Sequence, residues 1–123
     1  MASIGNTVFD TGLDSLDTLA DRLDICSTEP TTFTEATTTY TLGNKLTPTV
    51  AAPSDRAGGG REVVIAEITD GNVTADGTAA WWALVDVSLS DLLATGAVTP
   101  SQDVTNGNTF SLSSFTIGIP DPA

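Results

Sequence analysis

From residue 62 onward the chain is a succession of short apolar runs, rich in β-branched and aromatic side chains and separated by turn signals. Residues 62–69 (EVVIAEIT) run into the turn pair Asp70-Gly71. Residues 78–87 carry Trp81, Trp82, Leu84 and Val85 and meet a turn at 88–91. Residues 92–98 (LLATGAV) lead into a polar loop over 99–108 that contains Pro100 and Asn106-Gly107, and residues 110–119 end at Pro120 and Pro122. Short strands at this spacing, with abundant threonine, fit an antiparallel sandwich or barrel. The predicted class is mainly β with one short N-terminal helix.

Alternation assigns faces within these runs, because successive strand residues point to opposite sides of a sheet. Trp81 and Trp82 therefore diverge: one fills the core and the other meets solvent, a partner or a second sheet. Apolar residues on both faces of 78–87 fit a central strand or one packed into a subunit interface. Phe110 and Leu112 share one parity and Phe115, Ile117 and Ile119 the other, which predicts a bulge near Ser113-Ser114.

The helix lies at the other end. Phe9, Leu13, Leu16, Ala20 and Leu23 recur at spacings that place them on one helical face, so a helix is expected over about 10–22, capped by Asp10 or Thr11. Residues 1–9 read as an extended arm with Ile4, Val8 and Phe9 as anchors, and 10–123 as a single mainly-β domain. One position along, Asp10, Asp14, Asp17, Asp21 and Asp24 form an acidic stripe beside the apolar one. Like charges one turn apart repel. The stripe is a solvated face or a docking strip for basic side chains, and its spacing is not that of a calcium loop. Residues 23–26 (LDIC) alternate as a short strand, 32–42 fit a strand or a helical turn equally, and 55–61, with Gly58, Gly59 and Gly60, form the least constrained loop.

Composition narrows the function. There is no histidine, one cysteine, and four basic side chains against sixteen acidic ones, a formal net charge of −12. That field repels phosphate backbones and anionic lipids, so neither nucleic acid nor a membrane is an expected partner. A hydrophobic content of 40% supplies enough core to make wholesale disorder unexpected. MASIGNTVFD has no basic or apolar signal-type region, so no secretory signal is expected. Cys26 has no internal partner for a disulfide, which suits a reducing cytoplasm, and it is expected to be a small buried side chain.

No recognisable catalytic spacing organises the carboxylates. Asp86 and Asp91 face each other across a turn, and Glu62 and Glu67 share a run, yet turn aspartates serve backbone hydrogen bonding and the aromatic content of 6% is thin for a sugar cleft. The glycine triplet lacks the lysine and the strand–helix context of a phosphate loop. No enzyme, metal or cofactor is expected.

A resemblance enters through four segments. Residues 78–86 (TAAWWALVD), 92–98 (LLATGAV), 104–110 (VTNGNTF) and 115–119 look like small structural proteins of tailed-phage morphogenesis clusters: a strand ending in Asp, an L-L-A-x-G strand and an N-G-N-T-F turn. Residues 23–30 (LDICSTEP) and 34–45 (TEATTTYTLGNK) resemble proteins of alphaproteobacterial phages and prophages. The chain is thus similar to capsid cement, or decoration, proteins that bind the outside of an assembled icosahedral shell. The resemblance implies a virion protein assembled in the host cytoplasm, with the major capsid protein as partner and a homotrimer as the oligomer. Phe9, Asp10, Asp14, Asp17, Asp21, Trp81 and Trp82 are the expected interface residues. A tail, head–tail connector or fibre component is the alternative, and a small carbohydrate-active enzyme the more distant one.

Overall fold

The computed structural model describes residues 5–120. Along them run a helix α1 (Asn6–Leu19) and strands β1 (Arg22–Cys26), β2 (Thr41–Leu46), β3 (Ser54–Asp55), β4 (Arg61–Ile65), β5 (Ile68–Val73), β6 (Gly77–Asp86), β7 (Asp91–Val104), β8 (Thr109–Leu112) and β9 (Phe115–Ile119). Six strands, in the order β7-β6-β1-β2-β5-β8, form a sheet curled into a half-barrel, and β3-β4-β9 form a small second sheet. All pairings are antiparallel. The fold class is the one the strand pattern predicts.

The helix buries the expected face, Phe9, Leu13 and Leu16, and Ala20 follows it into the core. It packs against β4 of the small sheet. Its bounds differ from the expected ones. It starts at Asn6 after Gly5, so residues 6–9 are helix rather than arm, while Ile4 lies outside the described residues. Burial of Phe9, and an ion pair from Asp10 to Arg61, hold this first part in place. It stops at Leu19 because Asp21 enters the sheet, where its N–H donates to the Val85 carbonyl at 3.1 Å. Leu23 and Asp24 therefore belong to β1, not to the helical stripes.

The run 62–69 is two strands rather than one. β4 ends at Ile65, the Ala66 N–H donates to Thr49 O at 3.0 Å, and β5 begins at Ile68 in the other sheet. Asp70-Gly71 is thus no turn; Gly71 pairs with Phe110 of β8. The parity change at Ser113-Ser114 is likewise a change of sheet and not a bulge: β8 pairs with β5, β9 with β4. β7 runs to Val104, beyond the expected end at Val98, through an irregular stretch in which only Ala80 stands opposite residues 98–101. Pro100 lacks an N–H and sits on this edge strand, where the loss is tolerated.

The glycine loop is more constrained than its composition suggests. The Arg56 N–H donates to Gly60 O and the Gly59 N–H to Arg56 O, both at 3.0 Å, in the turn from β3 to β4. Gly58, Gly59 and Gly60 have φ of 87°, 106° and 91°, a backbone region in which L side chains are strained. The core lies between the inner face of the half-barrel, the small sheet and α1, with Leu23, Ile25, Ile65 and Leu84 fully enclosed.

Candidate functional site

β1 is buried on both faces. Its inner side chains, Leu23 and Ile25, are apolar. On the outer face, Asp24 is 0% exposed and is gripped by Arg22, two residues away on the same side of the strand. Arg22 Nε and Nη2 donate to the two carboxylate oxygens at 2.6 and 2.7 Å, and the Thr41 hydroxyl donates to Oδ2 at 2.7 Å. Burial pushes the Asp24 carboxyl above its ordinary range, while Arg22 and Thr41 pull the other way.

The outer face is closed over β1 and β6 by a wide helical turn, Glu35–Thr39, whose Ala36 packs with Ala83 and Val85. Thr31 and Thr32 start this turn as a capping box does. The Glu35 carboxylate accepts from the Thr31 N–H and hydroxyl at 2.8 and 2.7 Å, and the Thr32 hydroxyl oxygen accepts from the Glu35 N–H at 3.1 Å. The Thr31 N–H, and then its hydroxyl, hold the Glu35 carboxyl below its usual range. Cys26 lies beneath, its thiol 3.5 Å from the Ala36 carbonyl and pushed up to about 12 by burial, then by Asp24, so it is not a nucleophile at neutral pH.

The acidic stripe is divided. Asp10 receives Arg61 Nε at 2.8 Å, and the same guanidinium reaches Asp55 at 2.6 Å, tying α1 to the small sheet. Asp21 accepts the Val87 N–H at 2.8 Å. Asp14 and Asp17 remain exposed on the helix. Of the expected interface residues, Phe9 and Trp82 are buried within the chain itself, at 4% and 8% exposure, and leave a partner little side-chain surface. Trp82 packs in the core against Phe115, ring centroids 4.4 Å apart, and against Gly96, where any side chain would strike its indole. Trp81 is half-buried on the opposite face, as alternation requires.

A feature not legible as a site in the sequence lies at one end of the half-barrel. Of the four exposed large apolar side chains among the described residues, Leu46, Val87 and Leu89 gather there. Leu46 closes β2 opposite Arg22, Val87 and Leu89 lie in the β6–β7 turn, and Asp21 binds both neighbours: its carbonyl accepts from the Thr47 N–H and its carboxylate from Val87. Asp91 is exposed at the same strand ends. The bases offer this end no positive charge to spare: Arg22, Lys45 and Arg61 are each held by an aspartate, and Arg56 donates to Gly59 O. An apolar patch beside carboxylates suits a surface that is itself apolar and basic.

Asp86 and Asp91 do stand opposite each other, but Asp86 is 3% exposed and accepts the Leu89 N–H at 3.2 Å as a turn residue. Glu62 lies on β4 and Glu67 in the crossing between sheets, so these two do not share a strand. Among the described residues, no group of three His, Cys, Asp or Glu side chains is placed to hold a metal ion, and no helix is long and apolar enough to cross a membrane. No family model, curated protein or solved structure matches the chain.

Proposed function

We propose that the protein is a virion structural protein of the capsid cement type, which docks on the outer surface of an assembled phage shell through the Leu46–Val87–Leu89 end of its half-barrel. The observation that carries this reading is the gathering of three exposed apolar side chains at one acidic end of a chain whose bases are engaged internally. Resemblance of the strand and turn segments to phage morphogenesis proteins supplies the shell as the partner. The mechanism is linkage: copies bound across neighbouring capsomers, as trimers at local threefold positions, stabilise the assembled shell over its parts. The major capsid protein is the partner, and no chemistry is required of the chain.

Quantified gel bands from purified particles test the role. Hundreds of copies per particle are expected; a few dozen or fewer would move the protein to a tail, connector or fibre. The docking end is tested by changing Leu46, Val87 and Leu89 together to Ser. Attachment to stripped shells should weaken about tenfold or more, as for loss of a binding hot spot, with no loss of fold. Unchanged attachment overturns this docking end.

A further inference from the structure

We propose a second binding site: the slot between the free edges of β7 and β8 accepts an extended segment of another polypeptide, bearing a basic side chain, as an added strand. Among the described residues the two strands end the six-stranded order, so each is paired there on one side only and carries outward main-chain groups without a strand partner. The curl of the half-barrel turns these edges toward each other. They are linked by the Gln102 side-chain amide, which donates to the Ser111 carbonyl at 2.7 Å. That carbonyl faces out of the sheet, and a side chain gives it the hydrogen bond that the N–H of a neighbouring strand would give.

Beside this link lies a cleft of about 480 Å³. Val98, Leu112 and the packed pair Trp82 and Phe115 give it an apolar floor, and Glu67 and Ser114 stand among its polar lips. Its volume falls within the ~300–1,000 Å³ of ordinary ligand sites, and a strand of four residues, ~13 Å long, is a segment of the matching scale. Trp82 is 8% exposed, with Phe115 and Gly96 packed against it, so it has little open ring face on which a sugar could stack. An incoming strand replaces the Gln102 amide as donor to the Ser111 carbonyl and meets the outward main-chain side of β7, which is the chemistry of strand addition. Glu67, exposed, is the one ionisable residue of the lining among the described residues and calls for a lysine or arginine on the incoming segment. A second copy of this chain is a poor donor, since three of its four bases are already held by aspartates.

The test is a titration of the isotope-labelled full chain, followed by amide NMR shifts. The probe is the acetylated, amidated peptide Lys-Thr-Val-Thr-Val-Thr. Its controls are the same peptide with Glu for Lys, the same peptide with Pro for both Val, and maltohexaose. Saturable shifts at millimolar peptide, centred on residues 97–102 and 111–115, are expected for the lysine peptide, with the glutamate peptide weaker and the prolyl peptide silent. Glu67→Lys, at an exposed position, should weaken the lysine peptide tenfold or more and reverse the preference. Absence of shifts, shifts centred elsewhere, equal response to the prolyl peptide, or a response to maltohexaose alone would each overturn the proposal.

Discussion

The two faces of the sheet across β1 and β6 reach similar burial by opposite means. On the inner face Leu23, Ile25 and Leu84 are at 0% exposure in an apolar core. On the outer face Asp24, Cys26, Ala83 and Val85 are also at 0%, but around a bidentate ion pair and under one turn of helix. The inner face is stabilised by area removed from water, which is forgiving of detail. The outer face depends on hydrogen-bond geometry, because a buried carboxylate is tolerated only while its partners are in place. The difference makes the inner face tolerant of apolar exchange and the outer face intolerant of losing one partner of its ion pair.

Truncation of the inner tryptophan should have the largest effect. Trp82→Ala is expected to cost about 3–5 kcal/mol, and Trp81→Ala, on the half-exposed face, about 1 kcal/mol, read from urea midpoints. Equal losses would break the assignment of Trp82 to the core and Trp81 to the outside.

Arg22→Ala comes next, at about 3 kcal/mol near neutral pH, because it leaves Asp24 buried without its cation. The pH dependence has a fixed sign. The folded Asp24 carboxyl already lies above its unfolded value through burial, and removing Arg22 raises it further. The deficit relative to the parent is therefore full above the folded pKa. It shrinks as pH falls through the folded pKa of the variant and then that of the parent, below which the buried carboxyl is protonated and uncharged in both proteins. Denaturation at neutral and acidic pH checks this; a deficit that grows with acid sinks it. The double change Arg22→Met with Asp24→Leu should recover much of the loss, as an apolar replacement of an ion pair does.

A smaller, local effect belongs to Glu35. Its carboxyl is held low chiefly by the Thr31 N–H, so its contribution is present above the unfolded pKa and lost as pH falls through the folded one. Glu35→Gln should speed amide exchange in residues 31–40 near neutral pH and leave the inner strands unchanged. Loss of protection across β6 instead would mean that the turn supports the whole sheet.

The mildest perturbation is chemical. Cys26, fully buried with its thiol pushed up to about 12, should alkylate with iodoacetamide only as fast as the protein opens. Labelling at the rate of a free thiol in native buffer would show that the helical turn does not close the outer face.

Much of this contrast was readable beforehand, and its limits are physical. The opposite facing of Trp81 and Trp82, the burial of Phe9, Leu13 and Leu16, and a strand at residues 23–26 all follow from local periodicity. Two further signals were present but are easily passed over. Arg22 and Asp24, two apart on a strand, share a face and can pair, and Thr32 with Glu35 has the spacing of a capping box that marks the start of the turn closing the outer face. The Leu46–Val87–Leu89 patch had no such signal, because Leu46 ends β2 while Val87 and Leu89 lie in the turn after β6, and only the pairing of both strands with β1 brings these ends together.

The strand-rich antiparallel class, the helical stripe and the acidity are legible in the residues alone, because each is a property of near neighbours or of composition. The division of residues 62–69 and 110–119 between two sheets came from long-range pairing. The packed fold alone enclosed Asp24 fully, and separated Asp10 and Asp21, held by Arg61 and Val87, from the exposed Asp14 and Asp17. Those outcomes rest on pairings between residues far apart in the chain, where a backbone donor takes whichever acceptor the packed sheets bring within reach, and no local pattern encodes that choice.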